Sequence, residues 1–355
     1  MVSSGCGRQE GPCVGTLIAN NWFKRVPKVE LHLHLEGAIP YDALWELVKK
    51  YGGDSEVPTL DALLQKFKFK DFPHFIDTWI WKNQFLREYE DFTFLAEAVA
   101  RDLLEQNIRY VEAFYSPPDF TDRHGLTTQK LTEAIRAGFD SVPEIEINLV
   151  ADLVRDFGPE KAAVTLAEVA EVKEMGVIGI GIGGSEQDFP PQPFKDVYEQ
   201  ARKFGFHTSA HAGEAAGAES VWGALRSLEV ERIGHGTRAE EHPALLDYLA
   251  EHQIPIEMCP ISNVRTGVVA SIKEHPAKRY FDRGLMVTIN SDDPKMFDNS
   301  MAEEYQLLVE QLGFSRDEIR TLILNGIQAS WMIDEQKDQM KATFQNEAAW
   351  DDSIG

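Results

Sequence analysis

Eight short runs rich in β-branched and other apolar residues recur along the chain, at 28–35, 108–115, 145–152, 177–183, 206–211, 231–235, 254–259 and 285–290. The stretches between them carry helical patterning instead. In 92–104, for example, Phe92, Leu95, Ala96, Val99, Ala100 and Leu103 return on a 3.6-residue beat. Strands separated by helices cannot pair as hairpins and are joined by crossovers, which makes neighbouring strands parallel. Eight such units predict a (β/α)8 barrel, a closed parallel sheet inside a ring of helices. A length of 355 residues suits one barrel with insertions.

The interval from Gly37 to about Asn107 is too long for one crossover, and it contains Trp79, Trp81, Phe69, Phe72, Phe75 and Phe85. It predicts extra helices over the barrel mouth. The aromatic residues suit either a lid over an apolar ligand or a satellite hydrophobic cluster. Residues 332–355 read as a terminal helix with a polar tail. The expected organisation is a flexible segment over 1–24, one domain over 25–335 and a helix with its tail over 336–355.

With 58 acidic against 35 basic residues, the net charge is −23. That argues against a nucleic-acid partner, which calls for a basic face, and suits a small neutral or cationic substrate. The three cysteines, Cys6, Cys13 and Cys259, form neither a disulfide framework nor a C-x-x-C metal knuckle. Residues 1–24 hold no apolar run of signal-peptide length, and no stretch approaches membrane-spanning length. The expected setting is therefore cytoplasmic, with no membrane partner; oligomeric state is left open.

In a (β/α)8 barrel the active site forms where strands finish. Five of the eight predicted strands end in chemistry-bearing residues: His32, His34 and Glu36; Gly183-Gly184-Ser185-Glu186; His211-Ala212-Gly213-Glu214; Gly234-His235-Gly236; and Asn290-Ser291-Asp292-Asp293-Pro294. A strand alternates its faces, so His32 and His34 point the same way and offer two imidazoles to one divalent metal. His211 and one carboxylate of the Asp292-Asp293 pair would complete a zinc site that acidifies water to a pKa of about 7. An amine leaving group also needs a proton, and Glu214, three residues beyond His211, is placed to supply it without binding the metal. His235 and the remaining aspartate would orient or stabilise the attacking hydroxide. Metal-dependent ester or amide hydrolysis on the same barrel is an alternative chemistry.

At these motifs the chain resembles the adenosine deaminase family of metal-dependent (β/α)8 amidohydrolases, over residues 24–335. The family pattern H-x-H-L-D-G-A reads here as His32-Leu33-His34-Leu35-Glu36-Gly37-Ala38, followed by H-A-G-E at 211–214, G-H-G at 234–236 and D-D-P at 292–294. Arg109 to Pro117 resembles the family's second strand. The resemblance implies one Zn2+ per chain, bound by His32, His34, His211 and Asp292. It also implies that Glu214 gives a proton to purine N1 while zinc hydroxide attacks C6. By the same carry-over His235 supports the hydroxide, Asp293 contacts the attacking water and the N7 edge, and the Gly184 N–H meets N3. Substrate contacts are thus expected from Glu36, Gly184, His34 and Asp293.

Two positions pull the substrate reading apart. Glu36 stands where adenosine enzymes carry an aspartate for the ribose 5'-hydroxyl, and there the chain looks more like adenine and aminodeoxyfutalosine deaminases. The H-A-G-E-A-A-G-A-E-S-V-W run and Gly234 look like bacterial adenosine deaminases, since adenine deaminases often carry an aspartate at the latter position. The expected reaction is adenosine, or 2'-deoxyadenosine, to the inosine product plus ammonia. Adenine and aminodeoxyfutalosine are the alternative substrates.

Overall fold

The computed structural model describes residues 22–68 and 72–351. Eight strands run in chain order around one parallel sheet: β1 Lys28–His34, β2 Ile108–Tyr115, β3 Glu146–Asp152, β4 Val177–Gly181, β5 His207–Ala212, β6 Arg232–His235, β7 Ile256–Met258 and β8 Val287–Ile289. This is the expected (β/α)8 barrel. Strand bounds agree with the sequence reading to within two residues at each end, the ordinary fraying of element ends. β1 is buried along its whole length. Its sequence accordingly alternates two kinds of buried residue, apolar Val29, Leu31 and Leu33 with polar Glu30, His32 and His34.

The barrel closes between β1 and the chain just beyond β8, in a seam that mixes backbone and side-chain bonds. Leu31 N–H donates to Asn290 Oδ1 at 2.9 Å, and Ser291 N–H donates to the Glu30 carboxylate at 2.7 Å. Asp292 N–H then donates to His32 C=O at 3.1 Å, and His34 N–H to Asp292 C=O at 2.9 Å. Asp292 reaches this register only by adopting a left-handed backbone, with φ of 65°.

Between β1 and β2 lie the helices Tyr41–Lys50, Leu60–Lys66, Phe72–Asn83 and Tyr89–Glu105, as the length of that interval predicts. The last is set by a capping box between Glu88 and Asp91, and it buries Phe92, Leu95, Ala96, Val99, Ala100 and Leu103. The aromatic residues of this interval make two separate contacts. Trp81 packs edge-on against Phe85 and donates to Asp54 at 2.9 Å. Phe75 stacks on Phe297, which follows β8 on the mouth side. Phe69 and the side chain of Phe72 lie outside the described residues.

Of the segment 1–24, residues 1–21 lie outside the described residues; Trp22 and Phe23 are buried. After the helix Asp334–Asn346 the chain turns back, so that Trp350 is buried and Ala349 C=O accepts from the Trp22 indole at 2.7 Å. Residues 352–355 also lie outside the described residues. No helix among the described residues is long and apolar enough to cross a membrane.

Toward the N-terminal ends of the strands, reaching up to the residues beneath the mouth, the interior is ionic. Arg232 bridges Glu112 at 2.6 Å and Glu257 at 2.5 Å, all three fully buried, and its guanidinium lies 3.6 Å from the centre of the Trp331 ring. Replacing Arg232 with Met leaves two carboxylates facing each other out of water. Denaturant unfolding is expected to show a loss of about 3–5 kcal/mol; an unchanged midpoint would show that the network carries no stability.

Candidate metal centre and active site

His32 and His34 leave β1, His211 leaves β5 and Asp292 follows β8, and the four meet at the barrel mouth. His211 Nε2 lies 3.1 Å from His32 Nε2 and 3.2 Å from His34 Nε2. Asp292 Oδ1 lies 3.6 Å from the first imidazole of β1 and 3.3 Å from the second. A tetrahedral site with metal–ligand bonds of 2.0–2.1 Å has edges of roughly 3.3–3.4 Å, so the donor set fits one zinc-sized cation. Burial, reinforced by the other histidines, keeps all three imidazoles neutral, with His34 held down to about 3. Neutral rings leave their lone pairs free for a metal.

Supports behind the donors fix their aim. Glu257 Oε2 accepts from His32 Nδ1 at 2.8 Å, which turns the lone pair of Nε2 inward. Ser262 Oγ donates to Asp292 Oδ2 at 2.6 Å, leaving Oδ1 for the centre. Arg155, buried, donates to His211 C=O at 2.6 Å. A second set of possible ligand atoms, from His32, His235, Cys259 and Asp292, also lies within 4.8 Å of one another.

Glu214 enters from the loop after β5. One carboxylate, that of Glu186, takes four backbone N–H groups of this loop: Gly213 at 2.6 Å, Glu214 at 3.1 Å, Ala215 at 2.8 Å and Ala216 at 2.9 Å. This holds Glu214 Oε2 at 3.6 Å from His235 Nε2. Burial first, then the nearby Glu186 charge, pushes the Glu214 carboxyl up to about 8. The His235 ring is oriented by a relay. Ala277 N–H donates to His275 Nδ1 at 3.3 Å, so His275 Nε2 donates to Asn263 Oδ1 at 3.1 Å. The Asn263 amide then donates to His235 Nδ1 at 3.0 Å. That bond assigns the proton of neutral His235 to Nε2, on the side of Glu214.

The remaining predicted residues follow strands at the same end of the barrel. Glu36 follows β1 and accepts from Ser116 N–H at 3.0 Å with one oxygen, while its buried Oε2 has no protein partner. Burial pushes its carboxyl up to about 7. Asp293 Oδ1 is likewise buried without a partner, and burial with the neighbouring Asp292 holds its carboxyl well above the usual range. Its carboxylate packs so closely on Gly37 that a Cβ there would fall 1.8 Å from Oδ1, so no side chain is tolerated. A Cβ at Gly234 would fall 2.8 Å from His32 Cε1, which leaves no room for one in this arrangement. No acceptor among the described residues takes the Gly184 N–H.

The structure thus brings His32, His34, His211 and Asp292 together, with His235 beside them and Glu214 beside His235, while Glu36, Gly184 and Asp293 follow strands that end at the same mouth. Sequence reasoning missed the roles of Glu186, Arg155, Ser262, Asn263, Glu257 and His275. It also missed Lys82, which is buried on the helix Phe72–Asn83. Glu186 had a signal, its place in the motif after β4. Lys82 had none, because a lysine in an aromatic segment reads as an exposed residue.

The adenosine deaminase family model matches residues 27–346. An adenine deaminase of Chlorobium phaeobacteroides is 36% identical over 324 residues, covering 90% of this chain and 96% of its own. An aminodeoxyfutalosine deaminase of Streptomyces avermitilis is 37% identical over 339 residues, covering 93% and 94%. Among solved structures, a zinc-bound amidohydrolase of Burkholderia ambifaria superposes with a TM-score of 0.85 at 27% identity, covering 95% of this chain and 93% of that one. With a match across nearly the whole barrel and a donor set of the right shape at its mouth, the chain belongs to the adenosine deaminase family and is a hydrolytic deaminase.

Proposed function

We propose that this protein deaminates a 6-aminopurine nucleoside, adenosine and 2'-deoxyadenosine first, releasing the inosine product and ammonia. The observation that carries the reading is the Glu214 carboxyl, held up to about 8 beside a four-donor metal cluster, so that it carries a proton at neutral pH. Water is added at C6 and ammonia leaves, and the ring nitrogen N1 must take up a proton as C6 becomes tetrahedral. Glu214 supplies that proton. His32, His34, His211 and Asp292 would hold the metal. Bound there, zinc supplies hydrolytic power at neutral pH by acidifying water.

The other residues position and discriminate. His235, with its proton on Nε2, offers a hydrogen bond to the attacking oxygen. Asp293 faces that oxygen and the N7 edge, and the free Gly184 N–H meets N3. His34 borders the purine as well as the metal. Relatives named for adenine and aminodeoxyfutalosine deamination, together with Glu36, favour those substrates as a second reading. The lack of room for a side chain at Gly234 favours the nucleoside. Turnover by zinc-loaded protein on adenosine, 2'-deoxyadenosine, adenine and aminodeoxyfutalosine in parallel separates the readings. Ammonia from none of them would overturn the deaminase assignment at this site.

The metal and proton roles separate by substitution. Asp292→Ala should lower zinc content measured by elemental analysis. Glu214→Gln should keep zinc at the wild-type level while slowing turnover by about 100-fold or more. Equal metal loss in both would contradict the division of labour.

The pH profile follows from the sign of the shift. A carboxyl raised to about 8 is protonated below that pH and ionised above it, so kcat/KM should fall by about tenfold per unit on the alkaline side. Glu186→Gln removes one of the charges that hold the proton on, and the alkaline limb should move to lower pH. A limb that stays in place would detach Glu186 from the proton of Glu214.

A further inference from the structure

Glu304 lies on the helix Met301–Leu312 and is 0% exposed, yet among the described residues no cationic side chain comes within 4.0 Å of it. A carboxylate taken out of water without a cation is costly, so the groups it holds have to account for it. Its donors come from two other segments. Ile261 N–H is shared between the two oxygens, at 3.3 Å from Oε1 and 3.2 Å from Oε2. The Asn299 amide donates to Oε1 at 2.7 Å and to Ser291 C=O at 3.3 Å.

Both segments frame the metal cluster. Ile261 belongs to the helix Pro260–Arg265, whose next two residues, Ser262 and Asn263, are fully buried. Ser262 aims the Asp292 carboxylate, and Asn263 orients the His235 ring. Ser291 immediately precedes Asp292, in the chain that closes the barrel. A helix of six residues has too few internal bonds to hold itself in place, and its N-cap Cys259 makes no side-chain bond to it. Its position is therefore set from outside, and the Glu304 carboxylate ties it to the chain at Ser291 through Asn299. A carboxylate has only acceptor sites and takes both donors at once, whereas a neutral amide offers one oxygen and turns an N–H toward them.

We infer that Glu304 is a positioning residue for the metal cluster, acting through Ser262 and the chain at Ser291 to hold the Asp292 carboxylate on its aim. The inference rests on the metal-dependent reading of the site and extends it to a residue that hydrogen-bonds none of the four donors. It is tested by the zinc dissociation constant, from competition with a chromophoric chelator, in the wild-type protein, Glu304→Met, Glu304→Gln, Ser262→Ala, the Ser262→Ala/Glu304→Met double variant and Asp292→Ala. The temperature is one at which the metal-free forms are folded, so that global stability does not enter the zinc equilibrium.

Glu304→Met keeps the reach of the side chain and removes its acceptors. Zinc should bind about 10- to 100-fold more weakly, the range for losing an outer partner of a metal ligand. Glu304→Gln keeps one acceptor oxygen and should lose less. Because Ser262 and Glu304 act on the same carboxylate, their losses should fall short of multiplying in the double variant by about fivefold or more. A lower melting temperature in Glu304→Met with zinc affinity unchanged would make the glutamate structural and overturn the inference, as would full multiplication of the two losses. If Glu304→Met does not fold, Glu304→Gln carries the comparison: binding weaker by about threefold or more supports the inference, and wild-type affinity overturns it. Weaker zinc binding in Asp292→Ala alone would remove the inference and leave the metal reading standing. Equal zinc affinity in Asp292→Ala and the wild type would remove both.

Discussion

Two backbone hydrogen bonds between His32, His34 and Asp292 close the barrel and, by the same act, assemble its metal cluster. Opening the seam would separate the ends of β1 from the chain after β8 and so split three of the four donors. Several other features serve this junction. Glu30 and Asn290 complete the seam with side-chain bonds where regular pairing stops. Ser262 turns the Asp292 carboxylate, and the left-handed backbone at Asp292 lets one residue pair with β1 while aiming its oxygen at the histidines. Backbone strain at such a point is affordable because pairing on both sides over-determines it.

The site is built in two electrostatic halves. Around the donors, burial keeps imidazoles neutral and ready to bind a cation. Beside them, burial and a second carboxylate push the Glu214 carboxyl above the usual carboxylate range. The same low-dielectric environment thus prepares a base-like set of nitrogens and an acid a few ångströms apart, as hydrolysis with an amine leaving group requires. Glu186 links position to protonation, since one carboxylate fixes four N–H groups of the loop and supplies the charge that opposes ionisation of Glu214.

Strand-end residues were legible in the sequence because each motif is local: His32 and His34 share a face by strand periodicity, and Glu214 follows His211 by three residues. The barrel was legible because alternating strands and helices admit few closed arrangements. What the sequence hid was long-range. Asn263 and His275 orient His235, Glu257 orients His32, and Arg232 ties Glu257 to Glu112, through contacts between residues on different strands and loops. Lys82 was hidden for a different reason. Its burial depends on how the helix Phe72–Asn83 packs on the rest of the barrel, which periodicity alone does not specify.

The most direct measurement is zinc-edge anomalous diffraction from crystals of the metal-loaded protein. The account predicts one peak per chain, about 2.0–2.2 Å from Nε2 of His32, His34 and His211 and from Oδ1 of Asp292. A peak bonded instead to His235 and Cys259, or no peak at the barrel mouth in stoichiometrically loaded protein, would contradict it.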